Sequence, residues 1–277
     1  MKLLKALKYR FLKSLKLVPA LAPRPTCTKE IIRKARSFRT VQNSVQTLVL
    51  GSSHGFCGYQ ARQGEFNWCM DSQDLYYSRS IYKKYADLPS LKRVIAFYSV
   101  FSAGHILELT KEKDMCAVYK VVLDIPYRFE RDEKLIESES IVKEFDELFP
   151  FIRKDKCGNN IKYNVFPVPV EERAAKHLKN NRRGNNQTAY VAEMAALAKA
   201  KGHEFYVVVP PFRSDYMALM PPFEETFKEL LALDGVKILN FFKDENFSDG
   251  DFGDTDHLNK SGALKLTRLI RDKISAG

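Results

Sequence analysis

Short apolar runs alternate with helix-like segments along most of this chain, and this order constrains the fold more than any other feature of the sequence. Four runs have the β-branched and aromatic content of buried strands. They are VQTLVLG (45–51), LKRVIAFYSVF (91–101), HEFYVVVPP (203–211) and VKILNF (236–241). Strands that alternate with helices pair in parallel, and helices then cover both faces of the sheet. We therefore expect an α/β fold with three layers, α/β/α, around a central parallel sheet.

The predicted helices lie between and after these runs, and their spacing is helical. They are DSQDLYYSRSIYKKYADLP (71–89), the Ala-rich TAYVAEMAALAKAKG (188–202), FEETFKELLAL (223–233) and GALKLTRLIRDKI (262–274). Gly202 stands where a left-handed residue commonly ends a helix. Ligands of a parallel sheet bind beyond the carboxyl ends of its strands, so we expect the site where the next loops start. Those loops follow Leu50, Phe101, Val209 and Phe241.

The positive charge of the chain is concentrated at its start. The 277 residues carry a formal net charge of +11. Residues 1–40 contain 12 Lys and Arg and one acid, Glu30, whereas the rest of the chain contains 33 basic and 33 acidic residues. Residues 41–277 therefore have no excess positive charge with which to attract a phosphate backbone, so we expect no nucleic-acid partner.

The first 18 residues have the pattern of a cationic amphipathic helix. Apolar residues recur at three- and four-residue intervals with lysines between them, and Pro19, Pro23 and Pro25 follow. No uninterrupted apolar run reaches the roughly 18–20 residues of a transmembrane helix. Two interpretations remain open: peripheral association of residues 1–18 with the inner face of the cytoplasmic membrane, or packing against the protein itself or a partner subunit.

The sequence predicts one catalytic domain, 41–277, after a basic helix and linker over residues 1–40. The middle of this domain, residues 111–187, is charged and irregular, and it includes the polar run KNNRRGNNQ. We interpret it as an insertion, helical in part, that caps the site edge. A longer strand–helix repeat is the alternative.

The cysteines and histidines have no metal-binding spacing. Five cysteines are scattered without a CxxC pair, and five histidines form neither HxH nor HExxH. An odd number of isolated cysteines is typical of reduced thiols, so we expect a cytoplasmic protein without a bound metal.

Two short motifs carry reactive side chains. The first strand breaks into GSSHG (51–55), and the loop before the last helix contains DTDHLN (254–259). The spacing of Asp254 and His257 lets one loop fold the carboxylate back onto Nδ1 of the imidazole. Nε2 then faces outward and can take the proton of a serine hydroxyl. Asp254 fits this role better than Asp256, which we expect to brace the loop.

Together these motifs resemble those of the SGNH (GDSL-like) hydrolase and acyltransferase superfamily, over about residues 45–110 and 187–277. LVLGSSH is similar to the first block of that superfamily, which implies that Ser53 is the nucleophile. DTDHLN is similar to its last block, which assigns Asp254 and His257 to the catalytic triad. The resemblance also implies an SGNH/flavodoxin-like sheet. The motif GSSHG fits the elbow of α/β-hydrolases as well, and that alternative leaves Ser53 as the nucleophile.

The resemblance further implies an oxyanion hole built from backbone N–H groups of Ser53 and Ser72. Ser72 stands where the second block of the superfamily usually has Gly. The third block usually offers an Asn side chain, but FYSVFSAG (97–104) contains none. Ser99, Ser102 and the amide of Gly104 are the alternatives for a third donor. Loss of one donor costs about 10²–10³ in kcat.

VVVPPFRSDY (207–216) and DHLNKSGALKLT (256–267) are similar to bacterial members that modify cell-surface polysaccharides. This similarity implies a serine-dependent O-acyltransferase, in our expectation an O-acetyltransferase, that acts on a carbohydrate hydroxyl in capsule or lipopolysaccharide biosynthesis. Acetyl-CoA is the expected acyl donor because we expect a cytoplasmic protein; the sequence contains no legible CoA motif. A carbohydrate esterase with the same triad and a non-catalytic scaffold are the alternatives.

Three residues are weaker candidates for substrate binding. His54 follows the nucleophile directly, although its position is more typical of an exposed turn histidine. Arg213 and Asp215 follow the prolines that end a predicted strand. Their expected partners are a sugar, a phosphate or each other.

Overall fold

Five parallel strands form one sheet in the computed structural model of the protein, which describes residues 25–148, 156–160, 168–181 and 186–276. The strands are β1 (Thr47–Leu50), β2 (Glu65–Asn67), β3 (Arg93–Phe97), β4 (Glu204–Val209) and β5 (Lys237–Asn240). Their order in the sheet is β2-β1-β3-β4-β5, the flavodoxin-like order of doubly wound folds. The predicted α/β fold with a parallel sheet is therefore confirmed.

Eleven helices precede, connect and follow the strands along the described chain. They are α1 (Pro25–Val41), α2 (Ser53–Gly58), α3 (Leu75–Tyr85), α4 (Met115–Leu123), α5 (Glu133–Leu148), α6 (Val170–Asn181), α7 (Ala189–Lys201), α8 (Ser214–Met217), α9 (Phe223–Thr226), α10 (Lys228–Leu231) and α11 (Lys260–Ala276). Right-handed crossovers from β1 out to β2 and back to β3 place α2 and α3 on opposite faces. Accordingly α2 packs against α11, and α3 packs against α7.

The order of the strands brings three loops to one edge. β1 pairs with β2 from Thr47↔Glu65 onward and with β3 from Thr47↔Arg93 onward. The pairing continues past β2, because the Trp68 N–H donates to the Val49 carbonyl at 2.7 Å and the Met70 N–H donates to the Gly51 carbonyl at 3.1 Å. The loops that follow β1, β2 and β3 therefore start side by side, where strand order reverses.

The turn after β1 requires glycine because Phe97 of β3 lies against it. Gly51 has φ +141°, and a Cβ there would lie 2.7 Å from Cβ of Phe97. A Cβ at Gly55 would lie 2.5 Å from Sγ of Cys69 and 2.9 Å from the Phe97 ring. The backbone of β1 and α2 can approach the neighbouring strand only without these side chains.

Most predicted elements with strong periodicity are present with shorter bounds. α7 ends at Gly202, whose φ of +70° is left-handed as predicted. The predicted helix over 223–233 is instead two short helices, α9 and α10, because Phe227 leaves the helical region at φ −117°. β2 was not predicted, and α4, α5 and α6 lie in the segment 111–187, which was predicted to be helical in part.

The described residues divide into a helical unit and a sheet unit. The helical unit contains α1 with residues 106–148, and the sheet unit contains residues 42–105 and the described residues from 157 onward. Within the helical unit, the guanidinium of Arg36 donates to the carbonyl of Asp146 at 2.8 Å. The helix α1 begins inside the segment predicted as a linker, and α6 of the predicted insertion belongs to the sheet unit. The predicted helix over residues 1–18 lies outside the described residues.

Residues 156–160 cover the outer edge of β2. The Asn67 N–H points away from β1 and donates to the Cys157 carbonyl at 2.8 Å. Gly158 has φ +70°, and a Cβ there would lie 2.5 Å from the Asn67 carbonyl oxygen. This segment therefore lies directly against the edge strand.

Among the described residues, no helix combines the length and the apolar composition that crossing a bilayer requires.

Replacement of Gly51 by Ala is expected to lower the free energy of unfolding by about 2–6 kcal/mol, because overlap with Phe97 and a strained φ each cost on the order of 1–3 kcal/mol. Gly202→Ala is the matched control: φ is +70°, but no atom lies within 4 Å of the added Cβ. Its expected loss is about 1 kcal/mol. Urea unfolding measures both, and equal losses would contradict the role of Phe97.

Candidate active site

Ser53 is the first residue of α2, directly beyond the carboxyl end of β1. The carbonyl of Ser52 accepts the N–H groups of Gly55 at 3.1 Å and Phe56 at 3.0 Å, which fixes the first turn. The Ser53 N–H has no acceptor within the helix, because first-turn N–H groups lack one. Ser53 is partly exposed, whereas Ser52 is buried and its Oγ has no hydrogen-bond partner among the described residues. Only Ser53 of this pair is open to a substrate.

The loop before α11 folds a carboxylate back onto His257. The Gly253 N–H donates to the His257 carbonyl at 2.9 Å, which closes the loop. Oδ1 of Asp254 accepts the backbone N–H groups of Asp256 at 3.1 Å and His257 at 2.9 Å. The Asp254 carboxylate is therefore held in place by the backbone as well as by the imidazole.

Ser53, His257 and Asp254 form a continuous hydrogen-bonded relay. Nε2 of His257 lies 2.8 Å from Oγ of Ser53. Nδ1 of His257 lies 3.0 Å from both oxygens of Asp254. The carboxylate can only accept, so Nδ1 carries the hydrogen and Nε2 presents its lone pair to the serine hydroxyl. This is the arrangement in which an imidazole takes a serine proton.

The carboxylates around His257 make it a stronger base than an ordinary histidine. Burial alone would lower its pKa, but the charges of Asp256 and Asp254 outweigh burial and raise the pKa of His257 above the ordinary 6.5. Burial opposes ionisation of Asp254 too, yet its hydrogen bond to His257 holds the pKa of that carboxyl below 3.8. The Asp254 carboxylate is therefore ionised over the whole pH range in which His257 titrates.

Ser72, the second predicted oxyanion donor, has a left-handed backbone conformation. Its φ is +56°, in the left-handed region that favours glycine. Nε2 of His105 lies 3.0 Å from the Ser72 carbonyl and must donate to it. Ser72 follows Met70, which is hydrogen-bonded to the turn that carries Ser53. The assignment of the Ser53 and Ser72 N–H groups as oxyanion donors stays a prediction.

Two of the three alternatives for a third oxyanion donor use their hydrogens elsewhere. Oγ of Ser99 lies 2.8 Å from Nδ1 of His54, and the Gly104 N–H donates to the Phe101 carbonyl at 3.3 Å. Oγ of Ser102 accepts the Ser99 N–H at 2.8 Å, and this contact leaves its own hydroxyl hydrogen to donate. Ser102 therefore stays the alternative for the missing Asn.

His54 is buried, so the expectation of an exposed turn histidine is wrong. The residue is 3% exposed, and its ring stacks on the ring of His257 with centroids 5.0 Å apart. Nε2 lies 3.0 Å from Oδ2 of Asp256, outside hydrogen-bond geometry. Because α2 turns inward after Ser53, the side chain of the next residue points into the protein, where it does not meet substrate.

Ser99, His54 and Asp256 repeat the residue types of the first relay. Ser99 is only 1% exposed, so a substrate cannot reach its hydroxyl. Burial lowers the pKa of His54, which keeps the ring neutral and lets Nδ1 accept the Ser99 hydroxyl hydrogen. This second series lies buried beside the first, with a hydrogen bond between Ser99 and His54 and a 3.0 Å contact between His54 and Asp256.

Arg213 and Asp215 bind each other. Nε of Arg213 donates to Oδ1 of Asp215 at 2.7 Å, and Nη2 of Arg213 donates to Oδ2 of Asp215 at 2.5 Å. Both residues follow β4 on the predicted rim, and Asp215 is exposed. The sequence left three partners open for these residues: a sugar, a phosphate or each other. The structure shows the last of these, the ion pair between Arg213 and Asp215.

Sequence reasoning missed two residues of α6 that reach the site. Nε of Arg173 donates to Oδ1 of Asp256 at 2.9 Å, and Nη2 of Arg173 donates to Oδ2 at 3.1 Å. Nδ1 of His177 lies 2.7 Å from the Tyr216 hydroxyl, and its Nε2 lies 4.0 Å from Asp256. The spacing of Arg173 and His177, four residues apart on one helix face, is the signal that could have paired them.

Three side chains near the relay have the residue types of a metal site. Ligand atoms of His54, Asp256 and His257 lie within 4.8 Å of one another. However, the guanidinium of Arg173 contacts both Asp256 oxygens, and Nδ1 of His257 is paired with Asp254. A cation already neutralises the carboxylate, so we assign no metal to this group.

No protein-family model matches the chain, and no curated protein is similar to it.

A serine-reactive fluorophosphonate is expected to label Ser53 at a rate that rises with pH, with a midpoint above 6.5. The reason is that His257 accepts the serine proton only when neutral, and its pKa is raised. Labelling is lost as the pH falls through that midpoint. Intact and peptide mass spectrometry measure the rate and the site.

Ser52→Ala is the control for this measurement: Oγ of Ser52 has no hydrogen-bond partner among the described residues, so this variant should be labelled at Ser53 like the wild type. Labelling that maps to Ser52, or that does not depend on pH, would contradict the relay.

Proposed function

We propose that the protein is a serine-dependent O-acyltransferase of the SGNH type that moves an acetyl group onto a carbohydrate hydroxyl in cell-surface polysaccharide biosynthesis. The relay from Asp254 through His257 to Ser53, with its 2.8 Å contact between Nε2 and Oγ, is the observation that carries the proposal. The resemblance of its two motifs to that superfamily supplies the substrate class.

Acylation of Ser53 would be the first half of the reaction. Nε2 of His257 takes the hydroxyl proton while Oγ attacks the carbonyl carbon of the acyl donor, for which acetyl-CoA is our candidate. Negative charge develops on the carbonyl oxygen, where the N–H groups of Ser53 and Ser72 are the proposed donors. Collapse breaks the carbon–sulfur bond, and the leaving thiolate takes the proton from His257.

Transfer to the sugar reuses the same groups. His257 is neutral again and takes the proton of an acceptor hydroxyl, whose oxygen attacks the acyl-serine carbonyl. Collapse breaks the bond to Oγ, and the imidazolium returns its proton to Ser53. The products are the acetylated sugar and the free enzyme.

The weak oxyanion site favours an activated donor. The superfamily's third donor is absent from the loop after β3, and loss of one donor costs about 10²–10³ in rate. A thioester is more reactive toward attack than a sugar ester, so it tolerates this loss better. This argument favours transfer from a thioester over hydrolysis of an acetylated sugar.

Wild-type protein incubated with acetyl-CoA is expected to carry one acetyl group on Ser53, and Ser53→Ala is expected to carry none. Asp254→Asn should slow acylation by on the order of 10³–10⁴, because the imidazole loses the partner that fixes its tautomer. Intact mass spectrometry and peptide mapping measure the adduct. Thermal unfolding of each variant controls for folding.

The effect of an added sugar acceptor distinguishes the acyltransferase from the carbohydrate esterase. With para-nitrophenyl acetate as donor, a transferase turns over faster when polysaccharide or oligosaccharide is added and yields acetylated sugar. Fast turnover that ignores the sugar would instead make the protein a carbohydrate esterase. The absence of any adduct or turnover in a folded protein would leave the non-catalytic scaffold.

A further inference from the structure

Asp256 is a buried carboxylate at the centre of four nitrogen-bearing side chains, those of Arg173, His54, His177 and His257. Its side chain is 2% exposed. Arg173 donates to both oxygens at 2.9 and 3.1 Å, and Nε2 of His54 lies 3.0 Å from Oδ2. Oδ1 also lies 3.6 Å from Nδ1 of His257, the nitrogen that faces Asp254. The imidazole of the relay is thus next to two carboxylates.

The relay itself does not need this second carboxylate. Asp254 already hydrogen-bonds Nδ1 with both oxygens at 3.0 Å, and two backbone N–H groups hold its carboxylate in place. A buried carboxylate costs several kcal/mol of desolvation, and it persists because Arg173 pairs with it through two hydrogen bonds. The expectation from the sequence that Asp256 braces the loop accounts for neither the arginine nor the contact with His257.

We propose that Asp256 is a second carboxylate of the relay and that Arg173 restrains it, so that this buried pair sets how strongly His257 holds its proton. The inference rests on the proposed role of His257 as the base of Ser53. Both residues are positioning residues, because they act through the imidazole and do not touch substrate.

Ionisable groups surround His257 and Asp256 on several elements. They are Asp254 on the same loop, His54 and Cys57 on α2, Arg173 and His177 on α6, and Tyr216 on α8. Burial lowers the pKa of His54 and His177 and raises the pKa of Cys57 and Tyr216. These four groups are therefore uncharged near neutral pH.

Three charged side chains therefore determine the electrostatic environment of the His257 imidazole. Asp254 and Asp256 are anions, and the pKa of Asp256 stays well below 3.8: burial opposes its ionisation, but the neighbouring histidine and arginine charges outweigh it. Arg173 is the opposing cation. Two anions against one cation favour the imidazolium, and removal of either member of the buried pair changes this balance in opposite directions.

Asp256→Asn and Arg173→Gln are expected to move the titration of His257 in opposite directions. The first removes an anion and leaves Arg173 unpaired, so the midpoint falls by about 1–2 pH units. The second leaves two anions without the cation, so the midpoint rises, by less than it falls in Asp256→Asn because the charge of Arg173 weighs less on His257 than that of Asp256. A merely structural role would lower the rate of both variants without opposite shifts.

Two measurements on the full chain follow this titration. NMR of the His257 imidazole, assigned with His257→Gln, reports its protonation directly. The pH dependence of fluorophosphonate labelling at Ser53 reports the same proton through reactivity. Arg79→Gln is the matched control, because Arg79 forms a 2.9 Å ion pair with Glu193 at similar side-chain exposure, 22% against 20% for Arg173. It should leave both midpoints unchanged.

The outcomes separate the two proposals. Opposite shifts of the NMR midpoint support the inference, and unshifted or parallel midpoints overturn it. If wild-type Ser53 is not labelled at any pH, the proposed function fails, while the NMR titration still decides the inference. Arg173→Lys keeps the cation and should shift the midpoint less than Arg173→Gln, so it provides the test if Arg173→Gln does not fold.

Discussion

The pairing of β1 between β2 and β3 is the constraint on which the candidate site depends. It sets the turn after β1 against Phe97 at a separation that only glycine at 51 and 55 allows. The chain then enters α2 directly, which presents Ser53 at the edge of the sheet and turns His54 inward. The loop before α11 reaches the same edge, so Ser53 and His257, which are 204 positions apart, lie 2.8 Å from each other.

Local patterns predicted the parts of the structure that local forces determine. The strong periodicity of β1, β3 and β4 predicted strands, and the spacing of Asp254 and His257 predicted their contact. β2 escaped prediction because three residues, EFN, carry no periodic signal and are strand only by pairing with β1. The meeting of Ser53 with His257 was inferred from sheet topology, since no local pattern connects them.

The buried charges beside the relay could not be predicted in the same way. A single sequence gives no measure of burial, and charged residues in a polar segment are usually exposed. Arg173 lies in such a segment, 83 positions before its partner Asp256. His54 looked like a turn residue because its neighbours are small and polar. Only the tertiary structure shows that these groups neutralise one another away from water.

The segment that lies along β2 has a consequence for association between molecules. An uncovered edge strand offers its N–H and carbonyl groups to a strand of another chain. Here the outward N–H of Asn67 is already taken by Cys157, and Gly158 lies against the same strand. A strand from another molecule would first have to displace both residues. Cys157 and Gly158 therefore oppose aggregation by edge-to-edge strand pairing at β2.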